Sequence, residues 1–152
     1  MLRLPRRTLF ALEAVVDIAY NARPDPVQAK EITRRQGIPP RYLEQVMQQL
    51  VRAGILKGVR GPRGGYTLAR ERRRISVGEV IRAIEGFEDP ENGEEAAEPG
   101  SPIGIKVVRP LLDDLRAELE KRLDHTTLED LCSTAQLSDV PLVAQPRADF
   151  TI

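Results

Sequence analysis

The sequence predicts a mainly α-helical chain with one small β-hairpin, and three observations lead there. Apolar residues recur at helical spacing in several segments between residues 6 and 86. The run Lys57-Gly58-Val59-Arg60-Gly61-Pro62-Arg63-Gly64-Gly65-Tyr66-Thr67-Leu68 places a short β-like stretch on either side of a Gly/Pro turn. A further amphipathic helix lies beyond an acidic stretch and carries a leucine stripe with nothing beside it to cover. The order helix, helix, tight turn, polar-faced helix, hairpin, capped helix is that of a winged helix-turn-helix, here followed by a long dimerisation helix.

The first helix spans about Arg6–Asn21, with Leu9, Leu12, Val16 and Ala19 on one face and Val15 beside them. Arg23-Pro24-Asp25-Pro26 ends it, because proline lacks the N–H that a continuing helix needs. A short helix over about Gln28–Gln36 contributes Ala29 and Ile32, and Gly37 closes it as a C-terminal cap. Ile38-Pro39-Pro40 leads into a third helix, about Pro40–Ala53, with Pro40 at its first position. The inward stripe there is Leu43, Val46, Met47, Leu50 and Val51, and the outward face is Arg41, Tyr42, Gln45, Gln48, Gln49 and Arg52. Nearly all of the outward set donate hydrogen bonds. Arg pairs bidentately with guanine and Gln with adenine, so the row fits a helix reading base edges in a major groove. Gln is also an ordinary surface residue of helices, so the pattern alone does not decide.

Gly54 ends the third helix and Ile55-Leu56 opens the hairpin, whose tip holds Arg60 and Arg63 among small residues. A narrow basic finger suits a minor groove, where the potential attracts Arg. It is no phosphate-cradling loop, since it lacks the Gly-Lys-Ser/Thr ending and a helix directly after it. Arg70–Arg74 is opposed only by Glu71, and is expected to be solvated or near phosphates. Ser76-Val77-Gly78-Glu79 is a capping box, so a helix starts there with Val80, Ile81 and Ile84 inward and ends near Gly86.

Residues 1–86 therefore form the winged unit, and residues 87–105 an acidic flexible loop with Glu88, Asp89, Glu91, Glu94, Glu95 and Glu98 among Pro, Gly and Asn. Beyond it, Val108, Leu112, Leu115, Leu119 and Leu123 line one side of a helix over about Arg109–Leu123. Such a stripe needs a partner surface, and dimerisation is the expectation, with packing inside one chain as the alternative. Thr126–Leu131 is a short capped turn of helix completing a unit at 106–132, and residues 133–152 are expected to be a loosely held tail.

Charge divides the chain where the elements do. Residues 1–82 hold 17 Lys+Arg against 7 Asp+Glu, and residues 83–152 hold 6 against 16, within 152 residues of zero net charge. The first part suits a polyanion and the second would be repelled by one. Glu13 and Asp17 interrupt the best apolar run, so no membrane span is expected. The start Met1-Leu2-Arg3-Leu4-Pro5-Arg6-Arg7 leads into an amphipathic helix rather than a secretion signal. The single cysteine, Cys132, excludes an intrachain disulfide and agrees with a reducing, cytoplasmic setting. No nucleophile–base pair, metal cluster or phosphate loop points to an enzyme.

At several of these segments the chain resembles the Rrf-two family of bacterial regulators, whose relatives include iron–sulfur-cluster, nitric-oxide and cysteine-metabolism regulators. The matching pieces are Leu9-Phe10-Ala11-Leu12, Tyr42-Leu43-Glu44-Gln45, Ala53-Gly54-Ile55-Leu56, Val59-Arg60-Gly61-Pro62-Arg63-Gly64-Gly65-Tyr66, Ser76-Val77-Gly78-Glu79-Val80-Ile81 and Thr127-Leu128-Glu129-Asp130-Leu131. The resemblance implies a homodimer on double-stranded DNA, with third helices in successive major grooves and wings in flanking minor grooves. By position it implies Arg41, Tyr42, Glu44, Gln45 and Gln48 at bases or neighbouring backbone, with Glu44 able to accept from a cytosine amino group. It implies Arg60 and Arg63, with Gly61, Gly64 and Gly65, at the minor groove, and Arg6, Arg7 and Lys30 at phosphates.

One departure is plain. Cluster-bearing relatives place three cysteines before the dimerisation helix, whereas residues 87–107 contain no Cys or His. His125 and Cys132 are the only soft ligands and cannot fill the four positions of a cluster. A site shared across a dimer would have to collect both pairs. The expectation is a cytoplasmic, cofactor-free transcription regulator, a repressor by simple promoter occlusion, at a pseudo-palindromic operator. A small-molecule or protein effector is left open, and a winged-helix adaptor acting through protein contacts is the alternative.

Overall fold

The computed structural model describes residues 4–21, 24–85 and 100–142. Helix α1 (Arg6–Tyr20) lies at its centre, touched by α2 (Ala29–Gln36), α3 (Pro40–Arg52), α4 (Val77–Glu85), α6 (Leu128–Leu137) and the second strand of the hairpin. Its buried side chains are Thr8, Ala11, Ala14, Val15, Asp17, Ile18 and Ala19. The predicted face was therefore partly wrong. Leu9 is exposed, and Leu12 and Val16 are half-buried. The alanines take the tightest positions because their small side chains let neighbouring helices approach closely.

Asp17 is the exception in this apolar setting, with a side chain wholly removed from solvent. A buried carboxylate is costly unless paired and hydrogen-bonded. Arg35 donates to both of its oxygens, Nε at 2.9 Å and Nη2 at 2.7 Å, and Gln36 Nε2 donates at 2.8 Å. The hydrogen bonds to Asp17 hold the Arg35 guanidinium above its ordinary pKa. Both donors come from the last turn of α2, so the pairing fixes that turn on α1.

Directly after it, Gly37 takes the left-handed conformation at φ 66° and its N–H returns to the Thr33 carbonyl at 2.9 Å. A side chain is strained at that φ, which is why glycine serves there. Ile38 is then fully buried, and Pro40 starts α3 without needing a donor. In α3, Leu43, Val46, Met47 and Leu50 face the core as expected, while Val51 lies at the surface.

Strands β1 (Leu56–Val59) and β2 (Gly65–Leu68) pair antiparallel, Leu56 opposite Leu68 and Val59 opposite Gly65. A single 3-10 turn, Arg72–Arg74, connects to α4. The capping box is present there: Ser76 N donates to Glu79 Oε2 at 2.9 Å and Glu79 N to Ser76 Oγ at 3.1 Å.

The acidic residues Glu88 to Glu98 fall outside the described residues. From Gly104 to Val108 one wide π turn leads into α5 (Arg109–His125), which buries none of its side chains. The chain then folds back. Leu128 N donates to the Ile75 carbonyl at 2.9 Å and Val77 N to the Thr126 carbonyl at 2.8 Å. Leu128 and Cys132 join the core of the winged unit, so α6 belongs to that core and α5 projects as an arm. Thr127 and Asp130 form a second capping box, and α6 runs to Leu137, well past the short turn expected. The Tyr20 hydroxyl donates to the Val140 carbonyl at 2.7 Å, which holds the start of the predicted tail against α1.

Asp17→Ala leaves Arg35 half-sequestered without its partner. Urea unfolding should show a loss of about 3–5 kcal/mol. A loss below about 1 kcal/mol would show that the pairing does not hold α2 in place.

Candidate nucleic-acid interface

The buried stripe of α3 fixes what its opposite side presents. Arg41, Tyr42, Glu44, Gln45, Gln48 and Arg52 are all exposed. Gln49 is not part of this face. It is half-buried, with Oε1 out of solvent and without a hydrogen-bond partner among the described residues. The sequence assigned it outward because Gln is polar. The rotation of α3 set by Val46 and Leu50 decides otherwise.

The wing is held at its base by a contact that the sequence did not reveal. Val27, between α1 and α2, bridges β2: Val27 N donates to the Tyr66 carbonyl at 2.9 Å and Tyr66 N to the Val27 carbonyl at 2.8 Å. Gly65 lies under this bridge, where a Cβ would stand 2.4 Å from the Val27 carbonyl oxygen. Only glycine fits, so Gly65 lets the base of the wing pack on Val27. The tip itself is closed by Gly64 N donating to the Gly61 carbonyl at 2.9 Å, with Arg60, Gly61 and Arg63 exposed and Gly64 half-buried behind them. An open hollow of about 460 Å³ separates the wing from the start of α2, where Gln28 and Ala29 line it. Lys30 is exposed on the next turn position of α2.

Five arginines are paired with carboxylates, and the cations of the candidate face are not. Arg35, Arg70, Arg72, Arg73 and Arg82 pair with Asp17, Glu79, Glu129, Glu71 and Asp124. Arg6, Lys30, Arg41, Arg52, Arg60 and Arg63 form no ion pair with any described residue. In the run Arg70–Arg74, Arg70, Arg72 and Arg73 are thus paired within the chain, and Arg74 is exposed without an ion-pair partner among the described residues. At the start of α1, Arg6 is exposed and sits over the Phe10 ring, while Arg7 is half-buried, its Nε out of solvent and without a hydrogen-bond partner among the described residues.

The two soft ligands do not converge on a metal geometry. Cys132 is buried in α6, and burial pushes its thiol above the ordinary pKa although Arg72 pulls the other way. His125 ends the exposed α5, with Nδ1 2.7 Å from the Lys121 carbonyl. Among the described residues no group of three or more His, Cys, Asp or Glu side chains is placed to hold a metal ion. Cys132 and His125 supply two of the four ligands that a cluster needs. No described helix is long and apolar enough to cross a membrane.

Residues 4–134 match the sequence profile of Rrf2, described as an iron-dependent transcriptional regulator. The chain belongs to the Rrf2 family. It is 34% identical over 141 residues to the HTH-type transcriptional regulator IscR of Klebsiella pneumoniae, covering 91% of this chain and 85% of that protein. Among solved structures, the global cysteine regulator CymR of B. subtilis superposes with a TM-score of 0.72 at 33% identity, covering 88% of this chain and 98% of CymR. IscR of T. potens superposes with a TM-score of 0.74 at 31% identity, covering 92% and 93%. This Rrf2 protein is accordingly a DNA-binding transcription regulator with a winged-helix fold, and not an enzyme.

Proposed function

We propose that this chain represses transcription as a homodimer on a pseudo-palindromic operator, and that it does so without an iron–sulfur cluster. One observation carries the DNA-facing part. Arg41 and Arg52 on α3, Arg60 and Arg63 on the wing, Lys30 on α2 and Arg6 on α1 are exposed and unpaired among the described residues, whereas Arg35, Arg70, Arg72, Arg73 and Arg82 are paired with carboxylates. In this reading Arg41, Tyr42, Glu44, Gln45 and Gln48 meet bases or adjacent backbone, the wing tip enters a minor groove, and Arg6 and Lys30 meet phosphates. Occupying a promoter blocks polymerase, which makes repression the simplest outcome.

Genome-wide capture of bound DNA followed by footprinting tests the reading as a whole. A protected site with two half-sites about one helical turn apart supports it. On that site, Arg60→Ala and Arg63→Ala should each weaken binding about 10-fold with little change in Tm, since both side chains are exposed. Unchanged affinity in both would remove the wing from the interface.

The dimer rests on α5. Val108, Leu112, Leu115 and Leu119 are each about half exposed, Leu123 is half-buried, and the helix is about 25 Å long with no described surface covering its stripe. Sedimentation at micromolar concentration should find a dimer, and Leu115→Glu with Leu119→Glu should yield monomers that still fold. A wild-type monomer that binds a lone half-site tightly would sink this part.

The missing cluster rests on ligand count and placement: one buried thiol and one imidazole at a helix end. Protein purified anaerobically should lack stoichiometric iron and visible charge-transfer absorption, and should still bind the operator. Stoichiometric iron that disappears in Cys132→Ser would contradict it.

A further inference from the structure

Phe10 stands between two side chains that the proposed reading sends to different parts of DNA. It is on the second turn of α1, half-buried and packed against the core. The guanidinium of Arg6, one turn earlier, lies 5.6 Å from its ring centroid. The ring of Tyr42, at the start of α3, has its centroid 6.0 Å away at an interplanar angle of 48°. Both distances lie within the range where a cation and a second ring are attracted to an aromatic face. Arg6 and Tyr42 are otherwise exposed, and neither has another partner among the described residues.

Long exposed side chains lose entropy when they are held on a ligand. A ring that already restrains both reduces that cost, and it also ties the first turn of α1 to the first turn of α3. We infer that Phe10 is a positioning residue for operator recognition: without touching DNA, it sets Arg6 and Tyr42 in one fixed arrangement, so that phosphate contact by α1 and recognition by α3 are coupled. The inference rests on the DNA reading proposed above and gives a role to a residue to which neither the matching pieces nor the polar face of α3 assigned one.

The test is a double-mutant cycle on a fluorescent duplex carrying the site recovered by genome-wide capture, with a scrambled duplex beside it. Phe10→Leu keeps the apolar bulk and removes the aromatic face, and Phe10→Tyr restores that face. Phe10→Leu should weaken specific binding about 3- to 10-fold while binding to the scrambled duplex falls less. Arg6→Met should cost a similar factor in the wild-type background and less than about 2-fold in Phe10→Leu. Phe10→Tyr should return to near the wild-type affinity. Should Phe10→Leu melt at the assay temperature, Arg6→Met combined with Tyr42→Leu, both at exposed positions, reads the same coupling as sub-additive losses. Fully additive losses in these cycles, or equal weakening by Phe10→Leu and Phe10→Tyr, overturn the role of Phe10 while leaving DNA binding intact. A wild-type protein that prefers no captured duplex over the scrambled one overturns the functional reading itself, and Phe10 with it.

Discussion

A carboxylate without water must be held by donors, and Asp17 on the central helix is held entirely by the end of α2. That one requirement sets the spacing of the helix-turn-helix. It fixes the last turn of α2, from which Gly37 and the buried Ile38 direct the chain into α3. The rotation of α3 then follows from Leu43, Val46, Met47 and Leu50, and so does the polar row on its outer side. Apolar residues of similar volume often replace a buried ion pair without loss of stability. Here the pair also specifies where α2 ends on α1, which an apolar contact would leave less sharply defined.

The same logic runs through the rest of the charge distribution. A chain with zero net charge can still present a cationic surface if its cations are sorted. Arg72 illustrates the sorting. It pairs with Glu129, reaches the Ala19 carbonyl at 3.4 Å and so ties the turn after the hairpin to α6 and α1. Arg82 does the same for α4 and the end of α5 through Asp124 at 2.8 Å. Exposed pairs of this kind add little stability. Their consequence is to neutralise part of the positive charge away from α3 and the wing, whose exposed Arg41, Arg52, Arg60 and Arg63 form no ion pair with a described residue.

Much of this was legible in the sequence where a local rule governs. The Ser76–Glu79 capping box, the proline start of α3, the hairpin turn and most of the core stripe of α3 depend on near neighbours in the sequence, and all are present. What escaped the sequence depends on distant neighbours. Leu9 was expected inside and is exposed, because the close contacts of α1 are made by Ala11, Ala14 and Ala19. Gln49 and Val51 exchange their expected places at the edge of the α3 stripe for the same reason. Val27 gave no signal as a strand, since it forms only one bridge, to Tyr66. The basic run after the hairpin looked free, but its partners Glu79 and Glu129 lie 9 and 57 residues from the arginines they meet. The length of α6 was missed because its apolar positions, Leu128 and Cys132, are few and pack on another element.

The central claim is that paired and unpaired arginines have different jobs, and the salt dependence of operator affinity measures this most directly. Each phosphate contact that is lost should reduce the slope of log K against log salt by about 0.9. The account predicts that reduction for Arg6→Ala and Lys30→Ala, which it places at phosphates, and an unchanged slope for Arg70→Ala and Arg73→Ala, whose charges are already matched by Glu79 and Glu71. Equal reductions in both sets would contradict it.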